Sequence, residues 1–261
     1  MIRAKKSLGQ NFLIDKSILE KIVSVTNIKE KNILEIGPGT GNLTSYILMN
    51  KPKKLIVIEK DKNLAKNLVD KFSDQVTVIN DDVLNINETT ILNEKLTVFG
   101  NLPYNISTEI LSKWIVCLGD KFWFDNLILM FQKEVADRIN AEYNTSTYGR
   151  LSILANWKLK IAKICDIKPE SFSPKPKIDS TLLLFSPKNN SYKIKDPKNL
   201  EKVTRIFFSH RRKMLKKPFN QLFNGDQKIL DKLNIDLNLR PQNLDFETYY
   251  KLTNEYENLR S

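Results

Sequence analysis

The sequence predicts an α/β protein: a mostly parallel sheet with crossover helices, closed at one edge by an antiparallel hairpin and followed by a small α-helical C-terminal domain. Three observations carry this. Short apolar runs recur at a steady interval with helix-spaced segments between them. A glycine-rich turn follows the first clear run, and beyond Phe185 the strand pattern stops and the chain becomes basic.

Asp15 is placed to cap a first helix. The run Ile33-Leu-Glu-Ile36 reads as a buried strand, and Gly37-Pro-Gly-Thr-Gly41 leads into a helix starting near Asn42. Further strands follow at Leu55–Ile58, Val76–Ile79, Leu96–Phe99 and Leu127–Phe131. Leu64, Leu68 and Phe72, and then Ile106, Ile110, Leu111 and Trp114, have the spacing of buried helix faces. A helix over Leu151–Trp157 precedes two candidate strands, Lys158–Ile164 and Thr181–Phe185, which form the closing hairpin. The polar stretch after Phe185 marks a boundary, giving domains of residues 1–187 and 188–261. The second is helical, interrupted at Pro218, Gly225 and Pro241, and holds 16 basic and 9 acidic residues.

Forty-two Lys and Arg against 30 Asp and Glu leave a net charge of +12, which favours a polyanionic partner, nucleic acid or an acidic membrane surface. Cys117 and Cys165 stand apart among apolar neighbours, which excludes a disulfide framework and a thiolate metal site. The single histidine, His210, excludes imidazole metal centres and triads with a histidine base, so no metal is expected. The basic start lacks a signal-peptide core, and no run approaches the roughly 18 apolar residues of a spanning helix. A cytoplasmic monomer is expected.

The spacing Gly37-x-Gly39-x-Gly41 differs from a dinucleotide fingerprint and lacks the lysine of a phosphate loop, which suits a nucleoside without a pyrophosphate. Glu59 ends the second sheet strand, 22 residues after Gly37, where a carboxylate can accept both ribose hydroxyls. Asp82 follows the third, where an oxygen can accept an adenine amino group, with Asp81 as the competing choice. From Lys202 to Lys217 there are seven basic residues and no acidic one. A continuous amphipathic helix there would bury Val203, Ile206, Phe207, His210 and Met214. Arg205, Arg212 and Lys216 would face outward, with Arg211 and Lys213 in the same basic cluster, as a surface for nucleic-acid phosphates. Lys5 and Lys6 would add to it from the N-terminal arm.

After the fourth strand comes Asn101-Leu-Pro-Tyr104, of the form found in amino methyltransferases. Together with Leu8-Gly-Gln-Asn-Phe-Leu13, Glu35–Gly41, Glu59, Asp82, Phe172-Ser-Pro-Lys-Pro-Lys-Ile-Asp-Ser180 and Phe208–Leu215, it makes the chain resemble the ribosomal RNA adenine N6,N6-dimethyltransferases over nearly its whole length. The resemblance implies a Rossmann-like class I methyltransferase sheet and S-adenosylmethionine as cofactor. It implies that two adjacent adenosines near the 3′ end of small-subunit (16S) ribosomal RNA are dimethylated as the 30S particle assembles. It places Asn11 and Leu13 over the cofactor, Gly37 at its turn, Glu59 on its ribose, Asp82 on its adenine and Asn101 beside its methionine part. Asn101 and the Leu102 carbonyl would orient the target amino group, Pro103 would fix the turn, and Tyr104 and Phe172 would stack on the target base. The alternatives are a macrolide-resistance type methyltransferase of 23S ribosomal RNA, and a non-catalytic RNA-binding assembly or transcription factor on the same fold.

Overall fold

The computed structural model describes residues 5, 9–118 and 121–260. Among them lie β1 (Phe12–Leu13), α1 (Lys16–Ser24), β2 (Asn32–Ile36), α2 (Asn42–Met49), β3 (Lys54–Ile58), α3 (Lys62–Phe72), β4 (Thr77–Ile79), β5 (Leu96–Asn101), α4 (Ser107–Val116) and β6 (Phe124–Gln132). There follow α5 (Lys133–Ile139), α6 (Arg150–Lys158), β7 (Leu159–Ile167), β8 (Phe172–Ser173), β9 (Ser180–Pro187), α7 (Pro197–Ser209), α8 (Lys216–Phe223), α9 (Gln227–Leu233) and α10 (Phe246–Asn258).

The main sheet runs β4-β3-β2-β5-β6-β9-β7. Its first five strands are parallel, and β9 joins β6 antiparallel, from Leu127 opposite Phe185 to Gln132 opposite Ser180. The order explains the sequence pattern. Central strands covered on both faces become continuous apolar runs, and β2 is buried at every position. Ile33, Leu55, Val57, Phe99 and Ile128 share one core with Leu19 and Ile22 of α1, Leu43 and Ile47 of α2, and Leu68 and Phe72 of α3. Two helices in that layer start on aspartates. Asp15 accepts from the amides of Ser17 and Ile18, and Asp61 from those of Asn63 and Leu64, which satisfies donors the helix itself leaves open. A second, two-stranded sheet pairs β1 with β8 across 160 residues of chain: Phe12 faces Ser173 and Leu13 faces Phe172.

The chain divides into two compact units. One comprises residues 1–113, 118–136 and 161–187; the other comprises 114–117, 137–160 and 188–261. Residues 137–160, expected in the first domain, therefore belong to the helical unit. The reason lies in its packing: Tyr250 donates from its hydroxyl to the Ile153 carbonyl, and the Trp157 indole donates to the Tyr192 carbonyl. In the same unit the Glu257 carboxylate accepts from the amides of Lys195 and Asp196 and from Asn199, fixing the start of α7 to α10.

The continuous helix expected from Lys202 to Lys217 is broken. Helix α7 ends at Ser209, His210 to Lys213 form turns, and α8 begins at Lys216. Leu215 is fully buried, its amide donates to the Leu239 carbonyl, and the Arg211 guanidinium donates to the carbonyls of Thr145 and Ser146. These contacts outweigh a further helical turn carrying three successive cations. Met214, expected on the buried face, is 58% exposed.

Candidate active site

At the carboxyl ends of β2, β3 and β5 lies a cavity lined by residues 9–13, 37–40, 59–60 and 101–106, with Glu35, Asn42, Leu43 and Leu64. Its turn depends on glycine. Gly37, Gly39 and Gly41 have φ of 67°, 58° and 75°, the left-handed region that side chains disfavour. A Cβ on Gly39 would lie 2.7 Å from the Phe12 ring, so β1 presses directly on the turn.

Glu59 is 6% exposed at the end of β3. One carboxylate oxygen accepts from the Gly39 amide at 3.1 Å and the other from the Asp61 amide at 2.8 Å, leaving a lone pair on each for a ligand hydroxyl. Burial raises its pKa above the ordinary value, and these amide donors act against the rise. Glu35, at the end of β2, is 2% exposed and accepts from the Thr44 hydroxyl at 2.7 Å. Burial pushes its pKa up to about 8, and the neighbouring Glu59 charge adds to the rise.

Asn101 ends β5. Its Nδ2 donates to the Asn11 carbonyl at 2.9 Å, which turns its Oδ1 away from that bond, and Oδ1 accepts from no described residue. Leu102 has a buried side chain and a carbonyl that accepts no hydrogen bond from a described residue. Pro103 precedes a turn in which its carbonyl accepts from Ile106. Tyr104 is partly exposed to the cavity, and its hydroxyl lies 2.5 Å from the Ser180 hydroxyl. Burial raises the phenol pKa, so Tyr104 is a neutral ring near neutral pH.

The structure thus brings Asn11, Leu13, Gly37, Glu59, Asn101, Leu102, Pro103 and Tyr104 to one cavity. Leu13 both lines it and belongs to the core. Asp82 does not line it. Asp82 pairs with Lys60, a lining residue, at 2.6 Å and caps Leu84. Partial burial works to raise its pKa, but the bond and charge of Lys60, the Leu84 amide and the Lys113 charge together lower it. Asp81 accepts from the Asp82 amide and from Asn85 and is likewise absent from the lining.

Phe172 corrects an expectation. Its ring is 3% exposed within the core cluster and does not line the cavity, because β8 pairs with β1 and turns it inward. Lys5 is also committed elsewhere: it forms a 2.8 Å ion pair with Asp61, whose carboxylate is 3% exposed. Lys6 lies outside the described residues. Arg205, Arg212, Lys213 and Lys216 are exposed, whereas Arg211 is half-buried and bound to two carbonyls. Sequence reasoning missed Phe12, Asp61 and Ser180 as partners of site residues. Phe12 and Ser180 stood inside recognised motifs, but only pairing in space shows what they touch. Among the described residues, no group of three His, Cys, Asp or Glu side chains could hold a metal ion, and no helix is long and apolar enough to cross a membrane.

A parallel sheet with one antiparallel strand, a glycine turn after β2 and an amide-acceptor loop after β5, all meeting in one cavity, define a Rossmann-like methyltransferase. The chain belongs to the ribosomal RNA adenine dimethylase family, whose model matches residues 1–258. It is 67% identical over 259 residues to ribosomal RNA small subunit methyltransferase A of Pelagibacter ubique (strain HTCC1062), covering 99% of each chain. It is 40% identical over 261 residues to the protein of that name from Wolbachia sp. subsp. Drosophila simulans (strain wRi), covering 98% of this chain and 95% of that one. Among solved structures, a dimethyladenosine transferase from Plasmodium falciparum superposes with a TM-score of 0.79 at 29% identity, over 95% of this chain and 98% of the other. The 23S rRNA methyltransferase ErmE shares the fold, with a TM-score of 0.69 at 20% identity over 95% of this chain and 100% of that one.

Proposed function

We propose that the protein transfers methyl groups from S-adenosylmethionine to N6 of two adjacent adenosines near the 3′ end of small-subunit ribosomal RNA during assembly of the 30S particle. The observation that carries this reading is the Asn101 carboxamide, anchored through Nδ2 to Asn11 with its oxygen left to accept, on the cavity wall beside Leu102 and Tyr104. The donor set suits a nucleoside cofactor. Glu59 offers two acceptor lone pairs for ribose hydroxyls, and the glycine turn keeps side chains out of the space where backbone must approach a ligand. When bound, S-adenosylmethionine supplies an electrophilic methyl group.

The chain's own part is orientation. An adenine N6 lone pair is delocalised into the ring and is a poor nucleophile. Asn101 Oδ1 and the Leu102 carbonyl accept its two hydrogens and favour a pyramidal nitrogen, and Tyr104 stacks on the extruded base. In this reading Asn11 and Leu13 cover the cofactor, Gly37 admits it, and Asp82 with Lys60 stands toward its adenine end. Exposed Arg205, Arg212, Lys213 and Lys216, with what Arg211 leaves free, contact RNA phosphates from the helical unit.

Primer-extension mapping of methylated adenines on both ribosomal RNAs, after incubation of immature small subunits and of large-subunit RNA with protein and S-adenosylmethionine, tests this. Stops are expected at two adjacent adenines of the small-subunit RNA. Modification of the large-subunit RNA, or of neither, would overturn it.

A further inference from the structure

We infer that the helical unit carries a second phosphate-recognition site, a groove among α7, α8 and the end of α10 that grips a phosphodiester of an RNA strand through Lys202 and Arg260. The inference rests on the reading of this unit as RNA-binding. The groove, of about 700 Å³, is floored by Tyr256 and Phe223, which are 3% and 2% exposed. Lys202 Nζ stands 5.2 Å and the Arg260 guanidinium carbon 4.7 Å from the centre of the Tyr256 ring. The two cations are therefore held by one aromatic ring, and neither pairs with a described carboxylate. By contrast, Lys232 and Lys251 of the same unit are matched by Glu255 and Glu247 at 2.7 and 2.8 Å. Among the described lining residues the one acid, Asp226, is engaged in capping α9 through the Lys228 amide.

A cation held on an aromatic face keeps its hydrogens free for a ligand. Two such cations over one floor, one of them a guanidinium with a planar fork, match the paired oxygens of a phosphate. The exposed amides of Gln221 and Asn224 add neutral donors at the rim, and Leu259, 54% exposed, offers an apolar contact to sugar or base. A single exposed leucine beside a narrow cationic floor suits one strand of RNA better than a lipid surface, which would need a broad apolar face.

The test uses the full-length protein and a twelve-nucleotide oligouridylate, with affinity measured by fluorescence anisotropy over a salt series. Lys202→Gln with Arg260→Gln should weaken binding and reduce the slope of log K against log salt by about 0.7 per lost contact. A charge-matched control, Lys160→Gln with Lys193→Gln on exposed positions outside the groove, should leave the slope near that of the parent. An Arg212→Gln, Lys213→Gln variant reports on the basic turn, and circular dichroism melting confirms that each variant is folded. If only the basic-turn variant loses affinity, the groove assignment is overturned while the RNA-binding reading stands. If neither variant does, that reading fails as well. Retained RNA binding with lost binding to anionic phospholipid vesicles would reassign the groove to a headgroup.

Discussion

Glu35 is a carboxyl kept from water, with a pKa near 8 caused first by burial. The native state therefore holds a proton that the unfolded chain releases at ordinary carboxylate pH. This contribution to stability is full below the unfolded pKa and is lost as pH rises toward about 8. Glu35→Gln keeps the acceptor for Thr44 and removes the titration. Its unfolding free energy should gain on the parent between about pH 5 and 8, by at most about 1.4 kcal/mol per pH unit, and then level off. Urea unfolding across that range checks it, and parallel curves would show Glu35 ionised in the fold. The catalytic loop offers a second pair of residue tests. Asn101→Ala removes the free acceptor, so methyl transfer in single-turnover assays should collapse, while RNA binding, dominated by phosphate contacts, barely changes. Tyr104→Phe keeps the ring and loses the hydrogen bond to Ser180, so most activity should survive. Tyr104→Ala should lose about 1 to 3 kcal/mol of stacking.

Between strands and helices, the turn after β2 is where one substitution should move a whole element. Gly39→Ala meets a left-handed φ, costing roughly 1 to 2 kcal/mol, and places a methyl against the Phe12 ring. Phe12 must shift, and β1 with it. Cofactor affinity measured by calorimetry should fall along with the melting temperature. Gly225→Ala, at φ 74° in the helical unit, should lower stability and leave cofactor affinity intact. The same level shows what the sequence could reveal. Strands β2, β3, β5, β6 and β9 stood out because burial on both faces leaves little alternation to misread, and Asp15 was recognisable as a cap because capping is local. The break between α7 and α8 was hidden, since Arg211's bonds to Thr145 and Ser146 and Leu215's to Leu239 join distant stretches of chain. Phe172 and Lys5 mislead for the same reason: a motif fixes identity, while the pairing of β1 with β8 and of Lys5 with Asp61 decides direction. Gly37, Glu59 and Asn101 were legible because each stands at or just past the carboxyl end of a strand, on the same side of the sheet.

Over the whole chain the charge is uneven. Of the net +12, +7 falls on residues 188–261. RNA affinity should therefore fall steeply with salt. Replacing Arg205, Arg212 and Lys216, all exposed, with Gln should weaken RNA binding and flatten its salt dependence without altering cofactor affinity. Anisotropy titrations over a salt series measure the first effect and calorimetry the second; equal slopes for variant and parent would mean that these cations are merely solvated. The pairing of β1 with β8 also sets a schedule. A ribosome making this chain releases Phe12 and Leu13 early, but their strand partners Phe172 and Ser173 emerge only 160 residues later. Until then β1, which presses on the Gly39 turn, has no strand to pair with. The nascent polypeptide thus carries the parallel strands β2 to β6 and the glycine turn before the segment that pairs with β1, and a chain cut short ahead of Phe172 would lack both that roof and β9 of the sheet beneath it.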